Sequence, residues 1–214
     1  MKLIHVCSKC RTEWEAEGVP TDSDVCTACL PEFKEFRKIP RLSREIIVTE
    51  KIDGTNGLIY IDEQNNIFAG SRNRWLWGSI QDEIHNDNHG FASWVKANKE
   101  DLLKLGLGYH YGEWWGKGIQ RGYGIEEKRF SLFNVSKWSD DLIRPKCCHV
   151  VPLIGKLEFN TEKISVLLEW LKVHGSVAAS GYMNPEGIVI YHTAGNLYFK
   201  KTLENDEKAK TETI

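Results

Sequence analysis

Arg44-Glu45-Ile46-Ile47-Val48-Thr49-Glu50-Lys51-Ile52-Asp53-Gly54-Thr55-Asn56-Gly57 is the stretch that decides the fold. It opens on a β-branched run, which suits a strand, and then enters a turn with two glycines. Lys51 stands where the strand gives way to the turn. An isolated Lys-x-Asp-Gly supports nothing beyond a solvated surface lysine. As a nucleophile the amine would have to be held neutral, because an ammonium has no lone pair to give. Gly54 and Gly57 would let the backbone approach a ligand closely.

Downstream, residues 57–61 and 66–70 flank the polar stretch 62–66 and read as a hairpin. Between His89 and Leu105, the positions Phe91, Trp94, Val95, Leu102 and Leu103 have helical spacing, and Gly106 fits a stop. Residues 110–115 and 129–135 read as strands on either side of the glycine-rich loop 116–124. Trp114 and Trp115 then alternate faces, one in the core and the other nearer a site or the surface. From Asn160 to Gly175, Ile164, Leu167, Leu168 and Leu171 share one face of a helix. Asn160 or Thr161 caps its start and Gly175 its end. Two last strands, 187–192 and 196–201, turn at Ala194-Gly195-Asn196, and the charged tail from Leu203 is expected to fray. Strands outnumber helices and hairpins dominate. The expected class is α+β, with mostly antiparallel sheets and flanking helices.

The first thirty residues have almost no apolar periodicity and hold four cysteines. Cys7-x2-Cys10 and Cys26-x2-Cys29, fifteen residues apart, have the spacing of a zinc ribbon. A coreless segment of this size needs a cross-link, and four thiolates on Zn²⁺ supply one. Two disulfides are the alternative. The four cysteines complete a tetrahedral site without His5 and leave no open position, so the zinc is expected to be structural. Such a ribbon would present Lys9, Arg11 and Trp14 to nucleic acid or protein. The link from Pro31 to Ser43 is compatible with a short helix. The adjacent Cys147 and Cys148 make a poor chelate pair and read as structural or incidental.

The chain has 214 residues and a formal net charge of −2, so a nucleic-acid partner would need a locally basic surface. Eight tryptophans are many for this length, and some could stack on bases. The opening residues lack the apolar core of a signal peptide, and no apolar run approaches the ~20 residues of a membrane span. The expectation is a soluble, cytoplasmic protein without a membrane role.

Glu50-Lys51-Ile52-Asp53-Gly54-Thr55-Asn56 resembles the nucleotidyl-lysine motif of the polynucleotide ligase and mRNA-capping superfamily. Thr55-Asn56 after the Asp-Gly looks more like the phage RNA ligase family than like the DNA ligases. Further motifs follow in that family's order: 70–76 (GSRNRWL), 111–123 (YGEWWGKGIQRGY), 129–135 (RFSLFNV), 186–192 (EGIVIYH) and 198–206 (YFKKTLEND). The resemblance covers about residues 45–208 and implies an ATP-dependent RNA ligase with a phage-encoded origin in keeping. It implies that a lysine takes AMP from ATP, that AMP passes to a 5′-phosphate end, and that a 3′-hydroxyl then displaces it. Charge builds on phosphate oxygens throughout, so positioned cations should dominate catalysis.

The resemblance also assigns roles. Lys51 matches the nucleophile. Glu50 matches a contact to the adenine edge, through side chain or backbone, and Ile52 belongs to the same nucleotide-contacting stretch. Asn56 matches a residue of the end-joining steps, and Asp53 has a supporting role. Arg72 matches a contact to the ribose and the incoming end; Arg74 is a weaker candidate. Glu113 matches the carboxylate that accepts from the ribose, and Phe133 the ring that stacks on the purine. Asn134 stands where the family commonly has Asp. Glu186 matches the carboxylate associated with Mg²⁺ or Mn²⁺. Lys200 matches the lysine that holds the α-phosphate; Lys201, on the opposite strand face, is a weaker second. Lys117, Gln120 and Arg121 fall near the site without an assigned role.

The implied organisation is a zinc-ribbon-like module over 1–34, an adenylation domain over 41–208 and a flexible tail over 209–214. The implied partners are RNA ends, including nicked duplex RNA or tRNA. A DNA ligase, a capping nucleotidyltransferase and a non-catalytic zinc-ribbon protein that binds nucleic acid are the competing readings.

Overall fold

The computed structural model describes residues 1–30, 32, 34–80, 83–84, 87–204 and 206. They fall into two compact units, Met1–Ile39 and Pro40–Ile214. In the first, β1 (Lys2–Val6) pairs antiparallel with β2 (Glu13–Glu17). A tight knuckle follows β1: Arg11 N–H donates to the Cys7 carbonyl and Cys7 N–H to the Thr12 carbonyl, each at 2.9 Å. A single 3₁₀ turn spans Thr27–Cys29. Residues 32 and 34–41 carry no regular structure, so the short helix considered for this link is not found among the described residues.

The second unit runs β3 (Glu45–Lys51), β4 (Thr55–Ile61), β5 (Ile67–Gly70), β6 (Trp75–Gly78), α1 (Phe91–Ala97), α2 (Lys99–Leu102), β7 (Gly108–Gly116), β8 (Lys128–Leu132), α3 (Val135–Trp138), β9 (Cys148–Val150), β10 (Leu153–Glu158), α4 (Thr161–His174), β11 (Gly187–His192) and β12 (Leu197–Thr202). One sheet has the order β10-β3-β11-β12 and the other β6-β5-β4-β7-β8-β9. Every pairing is antiparallel except β8 with β9.

Side-chain alternation divides each strand between two environments. Ile46 and Val48 of β3, with Ile188 and Ile190 of β11, pack on Ile164, Leu168 and Leu171 of α4. Asn160 caps that helix, its Oδ1 accepting from Lys163 N–H at 2.9 Å, and Gly175 ends it at φ +79°. Ile59, Ile67, Phe91, Val95, Trp114 and Phe130 build a second core on one face of the six-stranded sheet. Ile47 and Ile52 meet Trp115, Tyr123, Val135 and Val151 in a third, which joins the remaining faces of the two sheets.

Two expectations need correction. The helical stretch from His89 is broken: a 3₁₀ turn at Asn88–Gly90 precedes α1, and Asn98 at φ −107° separates α1 from α2. Trp114 and Trp115 alternate faces as expected, Trp114 in the second core and Trp115 in the third on the Glu113 side, and both are buried. The strand read over 129–135 ends at Leu132; Asn134 instead caps α3, accepting from Lys137 N–H at 3.1 Å. Cys148 lies in the second core, and Cys147 N–H donates to Asp101 Oδ2 at 2.9 Å, a structural setting. No helix among the described residues is long and apolar enough to cross a membrane. The expected flexible tail at 209–214 lies outside the described residues.

Candidate active site

Strand β3 delivers Lys51 to the face opposite α4, at the mouth of the third core. The register sets its partner: Lys51 pairs with Gly187 on β11, so Glu186 sits beside it. Lys51 Nζ donates to Glu186 Oε2 at 2.5 Å, and Glu186 is 4% exposed. Lys51 ends β3, and Glu186 immediately precedes β11, its neighbour in the same sheet.

The other sheet supplies Glu113, from the middle of β7. Its cross-strand partner is Asn56 on β4, whose Nδ2 donates to Glu113 Oε2 at 3.4 Å. Gly54 N–H donates to Glu113 Oε1 at 3.0 Å. Gly54 must be a glycine here, since a Cβ would lie 2.5 Å from the Trp114 carbonyl oxygen. Burial pushes the Glu113 carboxyl up to about 7. The nearby Lys51 and the Gly54 amide work against that rise; Glu186 and Asp53 add to it. Lys51, Glu186 and Asp53 are therefore each in electrostatic reach of Glu113.

The glycine-rich loop closes one side of this group. Arg121 Nε donates to Asp53 Oδ2 at 3.1 Å, and its Nη1 donates to Asn184 Oδ1 at 2.9 Å. Tyr123 accepts from Asp53 N–H at 2.8 Å, and burial pushes its phenol well up. Arg121 thus ties the turn after Lys51 to the segment before Glu186. Sequence reading placed Arg121 near the site but gave it no task, and it passed over Tyr123. The density of glycines around both was the available signal. Gly116, Gly118, Gly122 and Gly124 all have positive φ, as do Gln120 and Tyr123. Lys117 is engaged elsewhere, with Glu126 at 2.6 Å, and Gln120 is exposed.

Other candidates divide. Ile52 is buried in the third core, and Phe133 is half-buried against it. Lys200 pairs with Val189, which pairs with Thr49, so it shares the Lys51 face; it is exposed. Lys201 pairs with Ile188 and belongs to the α4 face. Glu50 also points to the α4 side. Its carboxylate accepts from Ser176 Oγ at 2.6 Å and from the Val177 and Ala178 amides at 2.8 Å. Burial raises its pKa against those hydrogen bonds. Its side chain is a latch on the loop after α4, which leaves only its backbone for a nucleotide. Arg72 and Arg74 are exposed in the turn between β5 and β6, and no contact joins Arg72 to the Lys51 group among the described residues.

In the other unit, the Sγ atoms of Cys7, Cys10, Cys26 and Cys29 all lie within 4.8 Å of one another. All four are free thiols. Hydrogen bonding with the Cys10 and Cys26 thiols, with some burial, pushes Cys29 up to about 12. Four thiolates this close need a cation between them, and the all-sulfur set suits zinc. His5 is outside the cluster: its Nδ1 bonds to Asp24 and its ring stacks on Trp14 with centroids 5.6 Å apart.

Comparison with solved structures finds several forms of the Naegleria gruberi RNA ligase that share this fold. A lysine-to-alanine variant with ATP and Mn is 21% identical, with a TM-score of 0.55, over 74% of this chain and 48% of that one. A lysine-to-methionine variant with AMP and Mn is 21% identical, TM-score 0.56, over 75% and 50%. A further variant without ligand is 23% identical, TM-score 0.54, over 75% and 50%. The chain therefore spans about half the length of the structures it matches. Comparison with curated protein sequences finds no match. The family profile described as RNA ligase matches residues 44–206, which takes in β3 through β12 and every residue of the Lys51 group. On that match, over three quarters of its length, the chain belongs to the RNA ligase family.

Proposed function

We propose that this protein is an ATP-dependent RNA ligase working through a Lys51–AMP intermediate, and that it joins 5′-phosphate to 3′-hydroxyl RNA ends. The observation that carries this reading is the convergence of Lys51, Glu186 and Glu113 at the gap between the sheets. In the first step the Lys51 amine attacks the α-phosphorus. A P–N bond forms, the P–O bond to the β-phosphate breaks, and pyrophosphate leaves, taking up the proton that the amine gives up. Attack requires the Lys51–Glu186 hydrogen bond to be released, so that Nζ can turn to phosphorus. Glu113 accepts from the ribose, Phe133 stacks on the purine, and the backbone at Glu50 and Ile52 meets the base edge. Lys200 holds the α-phosphate, with Lys201 in a lesser part, and Asn56 and Arg72 serve the end-joining steps.

Glu186 fits Mg²⁺ or Mn²⁺: it is a buried carboxylate beside the phosphate position, and such ions favour oxygen ligands. A divalent cation there would neutralise phosphate charge. Two of the similar Naegleria structures carry ATP or AMP with Mn, which agrees with this choice of nucleotide and metal class. Cys7, Cys10, Cys26 and Cys29 hold a structural Zn²⁺ in a ribbon over 1–34, and 41–208 is the adenylation domain.

Intact-mass measurement after incubation with ATP and Mg²⁺ tests the reading. Wild type should gain one AMP, and Lys51→Ala should gain none. An adduct of equal yield in Lys51→Ala would refute the assignment.

A further inference from the structure

One face of the six-stranded sheet carries a row of rings that the adenylation chemistry does not use. Tyr60 on β4 pairs with Tyr109 on β7, and their rings stack with centroids 4.4 Å apart. Tyr111, two residues on, lies nearly parallel to Tyr109 at 6.3 Å. Phe68 and Trp75 extend the row across β5 and β6, each 5.8 Å from the other and 5.8 and 6.2 Å from Tyr60. These rings are not core. Tyr109 is 57% exposed, Tyr111 56% and Trp75 48%.

The row is continuous with the candidate active site. The pairs Asn56–Glu113, Leu58–Tyr111 and Tyr60–Tyr109 are successive rungs on the same sheet face. From the Glu113 rung to the Tyr109 rung is about 13 Å, the length of roughly four stacked nucleotides at about 3.4 Å each. Tyrosine suits such a place, because its ring offers an apolar surface while its hydroxyl stays wet. The turn that leads into Trp75 holds the exposed Arg72 and Arg74, cations for a phosphate backbone. A chain of net charge −2 has little bulk attraction for RNA, so a local platform of rings and a few cations is the kind of surface it would need.

We infer that this aromatic face is the platform on which unpaired bases of the RNA substrate stack as its end enters the Lys51 site. The inference rests on the RNA ligase reading proposed above. Its occupant is single-stranded RNA: a protein partner would have no need of the rungs that lead to Asn56 and Glu113.

The test uses the full chain, a fluorescent 5′-phosphorylated RNA of about eight nucleotides and a blunt RNA duplex. Wild type, Tyr109→Ala and Tyr109→Phe are compared for AMP loading by intact mass, RNA binding by anisotropy and native mass by sedimentation. AMP loading should be equal in all three, which also reports that the variants fold. Tyr109→Ala should bind the single strand about tenfold more weakly, the effect of losing one stacked base, and Tyr109→Phe should bind like wild type. Binding of the blunt duplex should not change. Unchanged single-strand affinity in Tyr109→Ala would overturn the inference, as would an equal loss on the blunt duplex. A change of native mass with intact RNA binding would assign the face to a second copy of the chain and overturn it too. Failure of wild type to load AMP would instead sink the ligase reading itself.

Discussion

At the scale of single residues, Glu113 carries the clearest electrostatic signature of the site. In the folded protein its carboxyl keeps its proton up to about pH 7, whereas the unfolded chain releases it near 4.5. Between those values the folded state binds more protons, so stability falls as pH rises through the window. Glu113→Gln should remove that part of the fall, which is on the order of 3 kcal/mol at most. Urea unfolding at about pH 5 and about pH 8 should show the variant gaining on wild type at the higher pH only. A constant difference between the two would mean that Glu113 is ionised throughout. Lys51, Glu113 and Glu186 were all legible from sequence, because each lies in a motif of recognisable order. Arg121 and Tyr123 were not. Their tasks depend on a loop of alternating positive-φ residues folding back on Asp53, and no periodicity encodes that return.

At the scale of elements, the regular pieces were read well where pattern and cap agreed. The helix α4 has four apolar positions on one stripe, an Asn before it and a Gly after it, and it forms as expected. The stretch 91–105 has a similar apolar count but no cap at Gly90, and it breaks at Asn98. Phe133 and Asn134 looked like strand because the apolar run continued; the cap on α3 outweighed it. Gly175 shows how much one terminal residue can decide. It stands at φ +79°, and a Cβ there would lie 2.6 Å from the Tyr182 carbonyl oxygen. Gly175→Ala should therefore lose more than about 2 kcal/mol in urea unfolding, while Asn160→Ala, which removes only a cap, should lose about 1 kcal/mol. Equal losses would show that the loop after α4 relaxes freely around Gly175.

At the scale of the whole molecule, the sequence conveyed two sheets' worth of strands but not how they divide. Membership follows from which strands pair across long separations, such as β3 with β10 and β11, and hydrophobic pattern is blind to that. The unit at the amino end was readable for the opposite reason, since its four cysteines replace a core. If zinc holds it, a chelator should melt that unit, with a change in Trp14 fluorescence, and leave the cooperative unfolding of the larger unit in place. Unaltered Trp14 emission after metal removal would count against a zinc-dependent fold. The partition of the active site between the sheets has its own consequence. The spacing of Lys51 and Glu186 is set by one hydrogen-bonded ladder, whereas that of Lys51 and Glu113 spans two separately paired sheets, connected through residues 52–54. Any substitution that shifted one sheet against the other would therefore change the distance from the amine to Glu113 and leave its pairing with Glu186 intact.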